Sequence, residues 1–419
     1  MSSSINPVSN TNEDFEGRHI AVLSLHTSPF IQPGYGDSGG MNVYIRELVG
    51  SLAHKGAKCS VYVRRWEKAL PDEELIEPGV RLVHIDAGNP ELKKNELVDV
   101  ADEFSKGVER DLLLSSEVDV LHANYWLSGI SGHALKHRLG LPLVTTFHTL
   151  GKTKISSGEF ESRERIKMEQ EIITCSDIVV ANSVDEANQL KDLYAAPEER
   201  VAVVPLGVEH AFFAPGNQDA ARAAIGLGRG PVVTYVGRVQ SLKGVDLALE
   251  MFAELRTENG VLLIVGGGSG TGGDKEVRKL NQRIKELDLE EQVRLIPPQP
   301  HHILSTYYRA SDVVVVPSKS ESFGLVALEA AACGTPVVAA SVGGLNDLVL
   351  HGKTGYLVNE RDPKLYAHYA HQILENPLHA AEIAMSAVEK AQQYSWQKTS
   401  DQILDLYASV SSRALVDCR

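Results

Sequence analysis

The sequence predicts an α/β fold of two Rossmann-like domains, each a parallel sheet with helices on both faces, facing one another across a cleft. Three observations carry this. The 419 residues exceed what one ordinary core covers, so length divides the chain in two. Short β-branched runs alternate with longer amphipathic stretches along the whole chain. Most of those runs are continuously apolar, as strands buried on both faces should be.

In chain order, the polar and acidic opening MSSSINPVSNTNEDFEG (1–17) is expected to be a disordered tail. The first series of strands is HIAVLSLH (19–26), CSVYVR (59–64), RLVHID (81–86), VDVLHA (118–123), PLVTTFH (142–148), DIVVANS (177–183) and VAVVP (201–205). Among the helical patterns between them, MNVYIRELVGSLAHKG (41–56) is closed by Gly56 as a C-cap. LGVEHAFFAPGNQ (206–218) breaks the rhythm and reads as an interdomain linker. A second series follows: PVVTYVG (231–237), VLLIVG (261–266), VRLI (293–296), DVVVVP (312–317), PVVAAS (336–341) and YLV (356–358). A last helix begins at Ser395 as N-cap, with Trp396, Ile403, Tyr407 and Val410 at helical spacing. The expected units are therefore 18–207, 208–394 and a terminal helix, 395–419, packing back toward the first domain.

Composition limits the function. A formal net charge of -14 speaks against a nucleic-acid partner, which needs clustered cations. No apolar stretch is long enough to span a bilayer. The four cysteines, Cys59, Cys175, Cys333 and Cys418, show no metal-ligand spacing in sequence and are expected to be reduced thiols of a cytoplasmic protein.

Ligands of open α/β sheets bind beyond the carboxyl ends of the strands, so chemistry is sought there. In YVGRVQSLKG (235–244), Arg238 and Lys243 follow a strand in a loop that opens a helix, a placement suited to a diphosphate. ESFGLVALEA (321–330) follows another strand, and the amides around Gly324, Leu325 and Val326 are expected to face the cleft at a helix mouth. Glu321 and Glu329, about 12 Å apart if both lie on the helix, would bracket a nucleotide-sugar. A glutamate amid LVALEAAAC must be partly buried and needs a partner. GDSGG (36–40) is a flexible turn before a helix, where amides meet phosphate. Gly268, Gly270 and Gly273 have G-x-G-x-x-G spacing, but Asp288 precedes the next strand where a ribose-binding acid should end it, so a dinucleotide site is not indicated.

These residues resemble the retaining glycosyltransferases of the GT-B fold, of the family 4 type, a large family that includes sucrose synthases and mannosyltransferases. The resemblance runs over 18–410 and rests on Glu321 and Glu329 as an E-x7-E pair, on GRVQSLKG, and on GTPVVAASVGGLNDLV followed by GKTGYLV. In the first half, GDSGGMNVY, YWLSG and HT are similar to the members of mycothiol biosynthesis, which move N-acetylglucosamine from UDP onto 1D-myo-inositol 3-phosphate.

The resemblance implies a UDP-sugar donor, a phosphorylated polyol acceptor, no membrane partner and an allowed homodimer. For the donor it implies Gln32, Pro33, Gly40, Arg238, Lys243, Gln299, Glu321, Gly324, Leu325, Val326 and Glu329. For the acceptor it implies His26, Asp37, Ser38, Gly39, Gly40, Met41, Asn42, Lys94, Tyr125, Thr149 and Arg165. His148, Arg238, Lys243 and Glu321 would serve catalysis. Lys94, Tyr125, Thr149 and Arg165 supply two cations and two hydroxyls for a phosphate monoester, and Arg165 stands four residues before Glu169, close enough to pair on one helix face.

The implied mechanism is a front-face substitution in which the leaving phosphate helps deprotonate the acceptor hydroxyl. Arg238, Lys243 and the helix mouth would then stabilise departing UDP. No cofactor is expected for catalysis, since no D-x-D follows a strand. The resemblance allows a structural magnesium near Tyr308, Arg309 and Ser311. Other readings are a sucrose-phosphate-synthase-like transferase using UDP-glucose and a sugar phosphate, a UDP-sugar epimerase on the same fold, and a nucleotide-sugar sensor that never releases UDP.

Overall fold

The structure, a computed structural model, describes residues 17–418 apart from 35, 116 and 269–272. The expected disordered tail lies outside the described residues except for its last glycine. Two sheets organise the chain. The first holds eight strands in the order β3-β4-β2-β1-β5-β6-β7-β8. They are β1 (His19–Ser24), β2 (Lys58–Arg64), β3 (Glu73–Glu77), β4 (Val80–Ile85), β5 (Val120–Asn124), β6 (Leu143–Thr146), β7 (Ile178–Ala181) and β8 (Val201–Val203). The second holds six in the order β11-β10-β9-β12-β13-β14. Its strands are β9 (Val232–Val236), β10 (Val261–Val265), β11 (Val293–Ile296), β12 (Val313–Val316), β13 (Val337–Ala340) and β14 (Tyr356–Val358). This is the GT-B arrangement of two parallel-sheet domains.

The apolar runs form the strands because both of their faces are covered. Each residue of β1, β5, β6, β7, β12 and β13 is buried. A fully buried valine or leucine contributes about 1.5–3 kcal/mol over an exposed one, so these runs dominate the core. Every strand expected from the sequence is present, and one more appears. β3, with sequence EELIE, is exposed from Glu73 to Ile76, and it pairs antiparallel with β4 through a bulge between Leu75 and Glu77. An edge strand needs charge to repel other edges, and that charge removes the apolar signature of a strand.

The segment 206–218 is anchored, not loose: Leu206, Val208 and Phe213 are buried, and Val208 bridges Ser395. The helix Trp396–Ser411 starts at Ser395, whose side chain accepts from the Lys398 N–H. It lies against the helix Gly40–His54 of the first domain. Ser51 and Ser400 hydroxyls meet at 2.8 Å, and buried His122 bonds the Tyr407 hydroxyl at 2.6 Å. Among the described residues no helix is long and apolar enough to cross a membrane.

The cysteine expectation is corrected. Cys59 and Cys333 are free and buried, but Cys175 and Cys418 are joined as a disulfide across 243 positions. Local spacing cannot reveal a contact that depends on the path of the tail.

Candidate active site

Strand order reverses between β1 and β5 in the first sheet and between β9 and β12 in the second. The segments after these four strands therefore diverge and leave room for a ligand. They carry His26 and the 36–40 turn, Tyr125, the Arg238–Lys243 loop, and the Glu321–Gly324 turn.

The two domains approach at these segments. A Cβ built on Gly39 would lie 3.8 Å from Arg238 Nε, and one on Gly40 would lie 3.6 Å from a Leu325 methyl. The two glycines thus face the second domain at contact distance, between helix Gly40–His54 and helix Leu325–Ala332. Gln32 reaches across and donates to the Pro298 carbonyl at 3.0 Å, with Pro33 beside it. Gln299 is half-buried and donates back to the Pro297 carbonyl at 2.9 Å. An interdomain cavity of about 320 Å³ is lined by Thr149 and Lys154 from the first domain and by Lys319, Glu321 and Ser322 from the second.

On the second domain, Lys243 Nζ lies 2.7 Å from Glu321 Oε2, which also accepts from Ser318 Oγ at 3.2 Å. Gly324 begins helix Leu325–Ala332 at φ 108°, and no side chain caps that helix, so the first-turn amides around Leu325 and Val326 point outward. Glu321 precedes the helix and Glu329 is its fifth residue, so the 12 Å helical spacing between them does not apply. Glu329 is buried, as expected, but its partners are not lysines. His301 Nε2 stands 2.6 Å from Oε1, and the Tyr308 hydroxyl donates to Oε2 at 2.7 Å. Burial opposes charge on His301, yet facing Glu329, with Glu47 beyond, raises its pKa above the usual histidine value.

Across the cleft, His26 packs tilted against Tyr125 with ring centroids 4.6 Å apart. Lys94 Nζ sits 4.7 Å and the Arg165 guanidinium 5.2 Å from the same ring, and Lys94 meets Asp37 at 3.7 Å. His26 Nδ1 is buried with no hydrogen-bond partner among the described residues. Burial, then Lys94, His148, Arg238 and Arg165, hold its imidazole well below the usual pKa. Convergent cations around an unsatisfied nitrogen are the electrostatics of an anion site.

Several expected ligands also brace the fold. Asn42 is fully buried; its amide oxygen accepts from the Gly39 N–H, and its nitrogen donates to Thr27 Oγ1 and the Ser28 carbonyl. Through these bonds it shapes the 36–40 turn. Ser38 is buried and donates to the Ile31 carbonyl at 3.3 Å, and Met41 packs into the apolar core. Arg165 is only 3% exposed; it pairs with Glu169 at 2.8 Å, as its spacing suggested, and with Glu161 at 2.7 Å. It also donates to the Thr149 carbonyl at 3.0 Å. It thus stands behind Tyr125 and Thr149.

Tyr125 and His148 hold φ of 74° and 62°, a region side chains rarely adopt. Such strain gathers at functional sites, and no local sequence pattern marks it. His148 Nε2 lies 2.9 Å from the Asn124 side-chain oxygen, so Nε2 carries the proton and Nδ1 the lone pair. Its backbone carbonyl accepts from the Ser322 hydroxyl of the other domain. Burial, with a smaller effect of His122, lowers its pKa to about 3. This favours a neutral, hydrogen-bonding imidazole at His148.

The Tyr308–Ser311 segment offers magnesium little. The Tyr308 carbonyl already accepts from the Ser311 N–H and the Thr335 hydroxyl, Ser311 O accepts from Gln218, and Arg309 donates to the Phe212 and Ala214 carbonyls. These residues do not fit a cation cage. Sequence reading missed His301 and Tyr308 as partners of Glu329; the two histidines in PPQPHH were the one available signal.

The comparisons agree with this geometry. A family profile described as Glycosyltransferase Family 4 matches residues 38–212, and one described as Glycosyl transferases group 1 matches 217–394. The chain is similar to a D-inositol 3-phosphate glycosyltransferase from Acidothermus cellulolyticus, 42% identical over 93% of this chain and 90% of that one. It is similar to another of the same name from Thermobispora bispora, 41% identical over 94% and 95%. Among solved structures, a sucrose-phosphate synthase from Thermosynechococcus elongatus superposes with a TM-score of 0.89 at 30% identity, covering 94% of this chain and 98% of that one.

Proposed function

The chain belongs to the D-inositol 3-phosphate glycosyltransferases within glycosyltransferase family 4, and from that premise we propose that it moves N-acetylglucosamine from UDP-N-acetylglucosamine to 1D-myo-inositol 3-phosphate with retention at the anomeric carbon. The observation that carries the acceptor is the pocket at His26, where an unsatisfied ring nitrogen lies in the field of Lys94, Arg165 and Arg238. A phosphate monoester supplies the charge and the acceptor oxygens that this pocket lacks.

The donor diphosphate lies between the Gly39–Gly40 amides and the Arg238 side. It draws Lys243 from Glu321, which turns to the sugar hydroxyls. Glu329 reaches the ribose once His301 yields one of its oxygens. As the glycosidic bond lengthens, negative charge grows on the β-phosphate and is met by Arg238, Lys243 and the mouth of helix Leu325–Ala332. The acceptor hydroxyl approaches on the same face and passes its proton to a leaving phosphate oxygen. His148, neutral, orients the sugar. The protein supplies positioning and charge, and this reading needs no cofactor.

The test is a matrix of UDP-N-acetylglucosamine, UDP-glucose and GDP-mannose against inositol 3-phosphate and fructose 6-phosphate, scored by nucleotide release and by the anomer of the product. Release should be fastest for UDP-N-acetylglucosamine with inositol 3-phosphate, giving the α-linked product. A preference for UDP-glucose with fructose 6-phosphate overturns the reading, as does donor conversion that needs no acceptor.

A further inference from the structure

We propose that His133, His137, Cys175 and Cys418 form a zinc site in the reduced protein, fastening the carboxyl-terminal tail to the first domain. The four ligand atoms all lie within 4.8 Å of one another. Three elements bring them there. His133 and His137 sit four residues apart on helix Tyr125–Leu139, one above the other on a single face. Cys175 ends helix Arg163–Cys175, and Cys418 comes from the tail after helix Trp396–Ser411.

The histidines aim at the sulfurs. His137 Nε2 lies 3.3 Å from Cys175 Sγ and 3.2 Å from Cys418 Sγ, and His133 Nε2 lies 3.9 Å from Cys418 Sγ. A tetrahedral zinc with Zn–S about 2.3 Å and Zn–N about 2.0 Å has ligand-to-ligand edges of roughly 3.3–3.8 Å. Two thiolates and two imidazoles are the donor set of structural zinc sites. A disulfide alone uses the two sulfurs and gives no reason for two imidazole nitrogens to converge on them.

Neighbouring groups hold the donors in place. Lys136, beside His137, is buried and donates to the Cys175 carbonyl and to Asp177, each at 2.8 Å. Asp177 Oδ1 also accepts from the Val416 N–H of the tail at 2.7 Å. Supporting bonds of this kind fix a first coordination sphere.

The chemistry balances simply. The Cys175–Cys418 bond is the two-electron oxidised form of the pair. A dithiol reductant exchanges with it to give two thiols and its own cyclic disulfide. Zinc(II) then displaces two thiol protons into water, forming two Zn–S bonds, while two neutral imidazoles complete the tetrahedron. The site lies further along the helix that starts at Tyr125 and contains none of the groups assigned to the reaction, so its expected role is to fasten the tail.

The full chain is equilibrated with zinc chloride under a dithiol, dialysed with reductant, and its metal measured by elemental mass spectrometry. One zinc per chain is expected, with at least a tenfold loss in His137→Gln and in Cys418→Ser. Both variants should keep UDP binding, which shows them folded. No zinc in the parent protein, or full occupancy in the double variant His133→Gln/His137→Gln, overturns the proposal and leaves the pair a plain disulfide.

Discussion

Lys243 and Glu321 form an ion pair of 2.7 Å directly before the uncapped start of helix Leu325–Ala332. The pair joins two loops that follow different strands of the switch point, β9 and β12. In the proposed reaction it is a holding state: the lysine is kept at the site by a carboxylate until a diphosphate replaces it.

Lys243→Ala should therefore lower kcat by about 10²–10³-fold with a smaller change in donor KM, because leaving-group charge goes unmet in the transition state. Steady-state UDP release checks this. An unchanged kcat removes Lys243 from the mechanism.

Lys94→Ala should raise the KM for inositol 3-phosphate by about 10–100-fold, the range for a lost charged hydrogen bond. Turnover of unphosphorylated inositol should stay as in the parent. If both acceptors weaken equally, Lys94 does not read the phosphate.

Arg165→Ala should cost about 3–5 kcal/mol of stability, because buried Glu169 loses its cation. The double variant Arg165→Met/Glu169→Met should recover only part of it, because the Gly151 N–H and the Tyr194 hydroxyl then lose Glu169 as acceptor. Urea unfolding measures both. A single variant as stable as the parent shows the pair to be structurally idle.

Glu186 gives a pH dependence. It is buried; Oε2 accepts from the Asn182 N–H at 2.6 Å, while Oε1 has no partner among the described residues. Burial raises its pKa from 4.5 to about 7. In that window the unfolded chain has released the proton and the folded chain holds it. Folding is therefore penalised progressively as pH rises from about 4.5 to 7, then levels off, for a total on the order of 3 kcal/mol. Glu186→Gln should match the parent near pH 4.5 and exceed it in stability by about that amount at pH 8. Parallel stability–pH curves for the two proteins contradict this.

Most of the fold was legible because a parallel sheet must bury both faces, and four or five consecutive apolar β-branched residues, as in β12, have few other uses. Strand β3 was hidden because an exposed edge is written in charge. In the site, the glycines and cations after β1, β9 and β12 were legible because their positions follow from topology. Their roles were less so. Asn42 and Ser38 were expected as ligands, and only packing shows the hydrogen bonds they also make within the fold. Arg165 was expected at the surface of a pocket, but its two glutamates draw it beneath. The His301–Glu329 contact and the His133–Cys418 cluster join distant segments, and no periodicity encodes them.

The most direct measurement is a crystal structure of the protein with intact UDP-N-acetylglucosamine. The account predicts Lys243 Nζ and the Arg238 guanidinium at about 2.7–2.9 Å from diphosphate oxygens, the diphosphate over the amides of Leu325 and Val326, and Glu321 released to the sugar. A diphosphate bound elsewhere, with Lys243 still holding Glu321, contradicts it.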